Sequence, residues 1–324
     1  MKNLLHVGLD VGSTTVKIAV FDSNFNIIYT NYERHFSDTK NTVCKVLESL
    51  VEKFSDSDFT IALTGSGAMS AATFLDLPFI QEVIACKRAV EKYLPTTNVV
   101  IELGGEDAKI IYFGKSIEQR MNGTCAGGTG AFIDQMASLL NTDAAGLNEL
   151  AKNHKIIYPI ASRCGVFAKT DIQPLINEGA AKEDIAASIF QAVVNQTISG
   201  LACGRPIRGN IAFLGGPLNY LSELRNRFID TLKLSEPQII VPEDAHLLVA
   251  KGAALDSLEM NPISAQKLKS KIEVLYHSHD TTTNPLKPLF VTDAEFAEFK
   301  ERHSKDVVKK GDLSKFKGDC FVGI

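Results

Sequence analysis

The sequence has no excess of positive charge, no long apolar run and no paired cysteines, and each absence removes a class of function. Its 324 residues carry 34 Lys and Arg against 38 Asp and Glu, a net charge of −4 with a pI near 6.0. A nucleic-acid binder usually shows a basic face instead. No stretch approaches the ~20 apolar residues of a membrane-spanning helix. The N-terminal MKNLLHVGLD reaches Asp10 too early to form the apolar region of a secretory signal. A cytoplasmic protein without nucleic-acid or membrane partners is therefore expected. Six cysteines, at 44, 86, 125, 164, 203 and 320, form no Cys-x-x-Cys pair, which argues against a zinc ribbon or a thioredoxin-like site. A disulfide framework is not expected in a large chain without an export signal. Cys44, Cys86 and Cys203 read as small buried hydrophobes. Neither Gly-x-x-x-x-Gly-Lys-Ser/Thr nor Gly-x-Gly-x-x-Gly is placed for a P-loop or a Rossmann site.

What is present is an alternation of sheet and helix. With 45% hydrophobic residues, the chain can fill one or two cores. Leu4–Leu9, Thr15–Phe21 and Ile27–Tyr32 read as strands of an antiparallel meander, joined by turns at Asp10–Thr14 and Asn24–Asn26. The spacing of Val43, Val46, Leu47, Leu50, Val51 and Phe54 predicts a helix from about Thr39 to Phe54. A strand over Phe59–Thr64 runs into Gly65-Ser66-Gly67, and Ile80–Tyr93 reads as a helix stopped by Pro95. The pattern then restarts with Asn98–Leu103, a Gly-Gly-acid turn and Ala108–Phe113. This repetition predicts two similar subdomains around a cleft. Further helices are expected at Gly130–Leu140, Asp143–Lys152, Lys182–Ala202, Leu218–Leu232 and Ala245–Leu258, with a short strand at Ile211–Leu214. The order is that of an α/β protein. Subdomain I is expected over 1–95, with the helix 245–258 packing back on it, and subdomain II over 96–244. Scattered prolines and mixed charge make 259–318 a linker or adaptor holding a short helix at Asp293–His303. Cys320–Ile324 echoes His6–Leu9, so 319–324 is expected to open a second, truncated module, the alternative being a plain C-terminal strand ending in Gly-Ile.

Asp10-x-Gly12-Ser13-Thr14-Thr15 lies between two predicted strands. Gly12 lets backbone N–H groups approach an anion, consecutive N–H groups in such a turn form an anion-binding nest, and the hydroxyls of Ser13, Thr14 and Thr15 add donors. Asp10 repels phosphate and suits Mg²⁺ or a Mg-bound water. Gly104-Gly105-Glu106-Asp107 repeats the logic, so two turns would clamp opposite sides of a metal–triphosphate. One such turn alone is weak, because Gly-acid turns join many hairpins. Together with Phe213-Leu214-Gly215-Gly216-Pro217 they make an ordered set. LDVGSTTVK, IELGGEDAK and FLGGP resemble the two phosphate motifs and the adenosine motif of the superfamily of acetate and sugar kinases, heat-shock chaperones and actin. The resemblance implies two ribonuclease-H-like subdomains with ATP or ADP and Mg²⁺ between them. It implies Asp10, Glu102, Glu106 and Asp107 as the acids of the hydrolytic site, and Gly215, Gly216 and Pro217 against the purine and ribose.

Two cysteines stand just before predicted helices: Cys125 before one starting near Ala131, and Cys164 before one starting near Phe167. Helix N-termini favour thiolates and anionic clusters. Two thiolates are half the ligand set of a [4Fe–4S] cluster, and pairing two identical chains completes it. An inert thiol is the alternative for either residue. NGTCAGGTGAF and SRCGVFAKTD closely resemble the activator components of 2-hydroxyacyl-CoA dehydratases and the related ATPase subunits of benzoyl-CoA reductase, over about residues 4–258. The resemblance implies a homodimer holding one [4Fe–4S] cluster on Cys125 and Cys164 of each subunit. Gly127, Gly128, Thr129 and Gly130 would then form a nucleotide loop directly after Cys125. It further implies ATP hydrolysis that moves a helix and passes a low-potential electron, taken from an upstream donor, to a partner dehydratase or reductase in anaerobic metabolism. Large members of that family, the CoA-substrate-specific enzyme activases, carry two modules in tandem, which would pair in place of two subunits. Glu102 and Glu106 stand where related sequences commonly carry Asp and Gln, which bears on Mg²⁺ and water positioning. A small-molecule kinase of the same fold, with a cleft acid as general base, and a non-redox nucleotide switch are the competing readings. Among single residues, Lys17 reads as a solvated strand-end lysine, Asp171 as a partner for a helix N-terminus, and His277 and His279 as an unassisted pair without a third metal ligand.

Overall fold

Leu4–Val11 (β1) is apolar at most positions and buried from Leu5 onward, the mark of a strand covered on both faces. It pairs antiparallel with Thr15–Phe21 (β2), which pairs antiparallel with Ile27–Arg34 (β3). After the helix Thr39–Lys53 (α1), Asp58–Thr64 (β4) lies parallel to β1, and Ala68–Leu75 (α2) and Glu82–Tyr93 (α3) follow. The second half repeats this start. Val99–Leu103 (β5), Ala108–Tyr112 (β6) and Glu118–Met121 (β7) form another antiparallel meander. Four helices, Gly130–Leu139 (α4), Ala144–Ala151 (α5), Gly165–Asn177 (α6) and Lys182–Thr197 (α7), precede Ile211–Leu214 (β8), which is parallel to β5. Gly216–Tyr220 (α8), Ser222–Leu232 (α9), Ile239–Ile240 (β9), Leu248–Asp256 (α10), Ile263–Ser264 (β10) and Ala265–His277 (α11) follow, and Asp293–Ser304 (α12) stands beyond them. The two sheets share one order, β3-β2-β1-β4-β10 and β7-β6-β5-β8-β9. These elements come from a computed structural model that describes residues 3–114, 116–122, 128–161, 164–278 and 286–307, with 311, 315, 317 and 318. The chain divides into two units, Met1–Ser278 and His279–Ile324.

Among the described residues, three large cores and a small fourth one, of Ala19, Phe21, Ala250 and Ala254, organise the first unit. Leu9, Ile18, Leu47, Phe59 and Leu63 fill the first lobe, and Ile101, Ile110, Phe190, Phe213 and Phe228 the second. Between the sheets, Ala85, Cys86 and Ala89 of α3 and Leu248, Val249 and Ala253 of α10 pack with Ala62, Val100 and Ala212. Mostly small side chains let the two helices seat closely between the lobes, with α10 lying on β1, β2 and β4.

The predicted meander and its repeat are present, and the differences have physical causes. The stretch from 259, expected as a linker, begins with an edge strand and a covering helix. β10 pairs antiparallel with β4, and Ile263, Leu268, Ile272 and Leu275 are buried in the first core. Their helical spacing was hidden among lysines and serines. The predicted helix Leu218–Leu232 breaks at Leu221, where the backbone is extended. α2 and the polar edge strand β7 were not predicted. Cys44 and Cys86 are buried as read, whereas Cys203 is exposed, in the left-handed conformation that ends the α7 extension. Among the described residues, one helical stretch, Lys182–Ala202, is long and apolar enough to cross a membrane, and 67% of its most apolar window is buried inside the structure. In the second unit, α12 opens with a capping box between Thr292 and Glu295. Residues 319–324 lie outside the described residues.

Candidate functional site

The turn after β1 is closed by the Gly12 N–H donating to the Thr15 carbonyl at 2.9 Å. The turn after β5 is closed the same way, the Gly104 N–H donating to the Asp107 carbonyl at 2.7 Å. The two turns meet: a Cβ placed on Gly105 would run into the Thr14 side chain. A cleft of about 260 Å³ lies between them. The structure brings Asp10, Gly12, Ser13, Thr14, Thr15, Glu102, Gly104, Gly105, Asp107, Gly130, Gly215, Gly216 and Pro217 to its walls. Glu106 instead lines an adjoining groove of about 410 Å³, which shares Ser13, Ser66, Glu82 and Asp107 with the cleft. Gly128 and Thr129 are buried away from the cleft, Gly128 against Gln196. Gly127 lies outside the described residues.

The first N–H groups of α4 are fastened to the second turn. Gly130 donates to the Gly104 carbonyl at 3.0 Å and Ala131 to the Gly105 carbonyl at 2.7 Å. Buried His35 braces the first turn, its N–H donating to the Thr14 carbonyl at 3.1 Å. Arg34 of β3 reaches Asp134 of α4 at 2.6 Å, and both residues line the cleft. At the Gly216 end, Tyr32, Tyr220 and His246 place their rings 5.2, 5.3 and 6.0 Å apart. A Cβ on Gly216 would lie 2.9 Å from the Tyr32 hydroxyl, so a side chain here would displace that ring.

The acids are paired in a buried network. Lys17 donates to Asp10 Oδ2 at 2.8 Å, with the Asp10 side chain only 2% exposed. This corrects the reading of Lys17 as a solvated lysine, because β2 is covered on both faces. Burial opposes the Lys17 charge, but Asp10, with Glu102 and Tyr32, overrides it and holds the ammonium protonated well above its ordinary value. Lys109 donates to Glu82 Oε1 at 2.5 Å and to Asp107 Oδ2 at 2.7 Å. Burial pushes the Glu82 carboxyl up to about 7, with Lys109 pulling it down and Glu102, Asp10 and Asp107 adding to the rise. Burial also raises Glu102, against the pull of Lys109. Among the described residues, Asp10 Oδ1 and Glu102 Oε2 are buried with no hydrogen-bond partner. Glu82 and Lys109 were missed in the sequence. The only signal for Lys109 was its place in the repeated hairpin, opposite Glu102 as Lys17 is opposite Asp10.

Cys164 occupies the position just before α6 and is partly exposed, and Val166 and Phe167 on the first turn are 69% and 65% exposed. Asp171 accepts from the Ala161 N–H at 2.7 Å, so it fastens the incoming chain and does not sit at the helix N-terminus as expected. Cys125 lies outside the described residues. Among the described residues, no three His, Cys, Asp or Glu side chains are grouped to hold a metal ion.

Two sheets of one order, each offering a Gly turn and an acid to a shared cleft, define a nucleotide-dependent ATPase of the actin-like fold. The model of the BadF/BadG/BcrA/BcrD ATPase family matches residues 7–257, and the chain belongs to that family. It is 31% identical over 273 residues to the 2-hydroxyisocaproyl-CoA dehydratase activator of Clostridioides difficile, covering 82% of this chain and 98% of that protein. It is 31% identical over 216 residues to the (R)-2-hydroxyglutaryl-CoA dehydratase activating ATPase of Acidaminococcus fermentans, covering 65% and 82%. The crystal structure of component A of the latter dehydratase matches with a TM-score of 0.69 at 26% identity, over 82% of this chain and 99% of that one. The solved activator of the 2-hydroxyisocaproyl-CoA dehydratase from Clostridium difficile, with bound ADPNP, matches with a TM-score of 0.68 at 25% identity, over 88% and 100%. The family read from the two cysteine motifs is the family found.

Proposed function

We propose that the chain is a reductive activator, coupling ATP hydrolysis to delivery of a low-potential electron to a dehydratase or reductase that acts on CoA thioesters. The observation that carries this reading is Cys164 before α6, beside exposed Val166 and Phe167, in a chain whose α4 is bonded to the Gly104–Gly105 turn. The names of the relatives support a 2-hydroxyacyl-CoA dehydratase as the partner. Cys125 and Cys164 of two copies, or of two tandem modules, would hold a [4Fe–4S] cluster. A partly exposed thiol at a helix start suits an anionic cluster shared across an interface. When bound, the cluster supplies one-electron transfer from an upstream donor. The contribution of α4 is mechanical: its hydrogen bonds to Gly104 and Gly105 let a change in that turn shift the helix, and with it the chain leading back to Cys125.

In the cleft, Gly12–Thr15 and Gly104–Gly105 would receive the phosphates, and Gly215–Pro217 the purine and ribose. The Asp10 Oδ1 fits Mg²⁺ or one of its waters, since that buried oxygen has no hydrogen-bond partner among the described residues. The test is activation. Anaerobically purified protein, Mg-ATP and a strong reductant are added to an inactive 2-hydroxyacyl-CoA dehydratase. Dehydration that needs all three supports the reading. ATP hydrolysis without activation, together with phosphoryl transfer to a small hydroxyl compound, would move the chain to the kinase alternative.

A further inference from the structure

Glu82 begins α3 and borders both the cleft and the adjoining groove. Its Oε1 accepts from Lys109, while Oε2 has no hydrogen bond among the described residues. The neighbouring acids are engaged or misplaced. Asp10 is bonded to Lys17 through Oδ2, its other oxygen is the one read for Mg²⁺, and it does not border the groove, whereas Glu106 borders only the groove. Asp107 borders both spaces, but it sits on the β5–β6 turn read as the phosphate turn, with Oδ2 bonded to Lys109. Glu102 is buried in the cleft wall and does not border the groove.

We propose that Glu82 is the proton acceptor for the water that attacks the terminal phosphate of ATP. This inference rests on ATP hydrolysis alone and stands whatever the redox partner is. In the step, Glu82 Oε2 takes a proton as the water oxygen bonds to the terminal phosphorus. The bond from that phosphorus to the bridging oxygen breaks, and its electron pair leaves with ADP. Inorganic phosphate forms, and the Glu82 proton then passes to solvent in the groove. A base works best when it titrates near the ambient pH, and burial places Glu82 there, at about 7. The charged and titratable groups around it are Lys109 on β6, Asp107 on the β5–β6 turn, Glu102 on β5, Asp10 on β1 and Cys86 one turn along α3. Lys109 is the one cation in that set, and it keeps the carboxylate from staying protonated across the working range.

The experiment is single-turnover ATP hydrolysis by the full chain from about pH 5.5 to 9, with ATP affinity measured in parallel. In the wild type the rate should climb through about pH 7 and level off above it. Glu82→Gln should lose ~10²–10³-fold in rate, lose the climb with pH and keep its ATP affinity. Glu82→Asp should restore part of the rate and a shifted climb. A Glu82→Gln variant with the wild-type rate or the wild-type climb overturns the proposal. So does one whose affinity falls as far as its rate, since that marks a structural role. If Glu82→Gln does not fold, Glu82→Asp decides alone: an unchanged rate and climb overturn the assignment.

Discussion

In the first hairpin Asp10 faces Lys17 across β1 and β2, and in the second Glu102 faces Lys109 across β5 and β6, yet the two lysines make different bonds. Lys17 closes on the acid opposite it at 2.8 Å. Lys109 turns to Glu82 and Asp107 and leaves a Glu102 oxygen buried with no hydrogen-bond partner among the described residues. The repeated frame therefore places an acid and a lysine at each turn, while the neighbouring elements choose the pairing. The N-terminus of α3 carries Glu82 to the second hairpin. One copy holds an acid paired to the lysine opposite it, and the other holds carboxyls raised by burial around a lysine shared between two of them.

The comparison breaks most visibly at the sheet edges. The first lobe takes its edge strand and the helix behind it from residues 263–277, after the second lobe is complete. Ending the chain at Met260 removes buried Leu268, Ile272 and Leu275, each worth ~1.5–3 kcal/mol of burial. Urea unfolding should show the first lobe losing several kcal/mol, whereas ending the chain at Ser278 should leave the transition of Met1–Ser278 in place. Equal transitions for the two truncations would remove α11 from the first core.

The lysine pair comes next. Lys109→Met leaves buried Glu102 and part-exposed Glu82 and Asp107 without their cation, at a cost of ~3 kcal/mol in thermal or urea unfolding. Lys17→Met strands Asp10 and should cost less. The sign with pH is fixed by the raised carboxyls. A group that binds its proton more tightly folded than unfolded favours folding at low pH and loses that contribution as pH rises through its folded value. The Lys109→Met deficit should therefore shrink on acidification. A deficit that grows on acidification, or a larger loss in Lys17→Met, contradicts the assigned pairing.

Smaller effects sharpen the cleft itself. Gly216→Val brings a side chain onto the Tyr32 hydroxyl and should weaken ATP binding by ~1–3 kcal/mol, read by calorimetry. Unchanged affinity would remove Gly216 from the nucleotide site. Arg34→Ala breaks a pair whose side chains are 51% and 39% exposed, so stability should change by no more than ~1 kcal/mol.

The turns were legible because their signals are local: alternating apolar strands, a Gly and an acid between them. The site's second half was not. Glu82 lies on a helix far along the chain from Asp107 and Lys109, and nothing in the local spacing of QEVIACKRAVEKY marks its first glutamate as a cleft residue. Lys17 looked solvated because lysine usually is, but both faces of β2 are covered. β7, with sequence EQRM, is an edge strand with no buried face, so it lacks the apolar alternation by which strands are recognised. In α11 lysines stand between buried Ala265, Leu268 and Ile272, which reads as linker composition until the neighbouring α1 is known.

The activator reading is tested most directly by iron and sulfide analysis with electron paramagnetic resonance on anaerobically prepared protein, wild type beside Cys125→Ser, Cys164→Ser and Cys203→Ser. Exposed Cys203 serves as the thiol control. A shared [4Fe–4S] cluster predicts ~2 iron atoms per chain and a reduced-cluster resonance, both lost in the first two variants and kept in the third. Wild-type protein without iron, or iron that leaves with Cys203 while Cys125→Ser or Cys164→Ser retains it, would contradict the account.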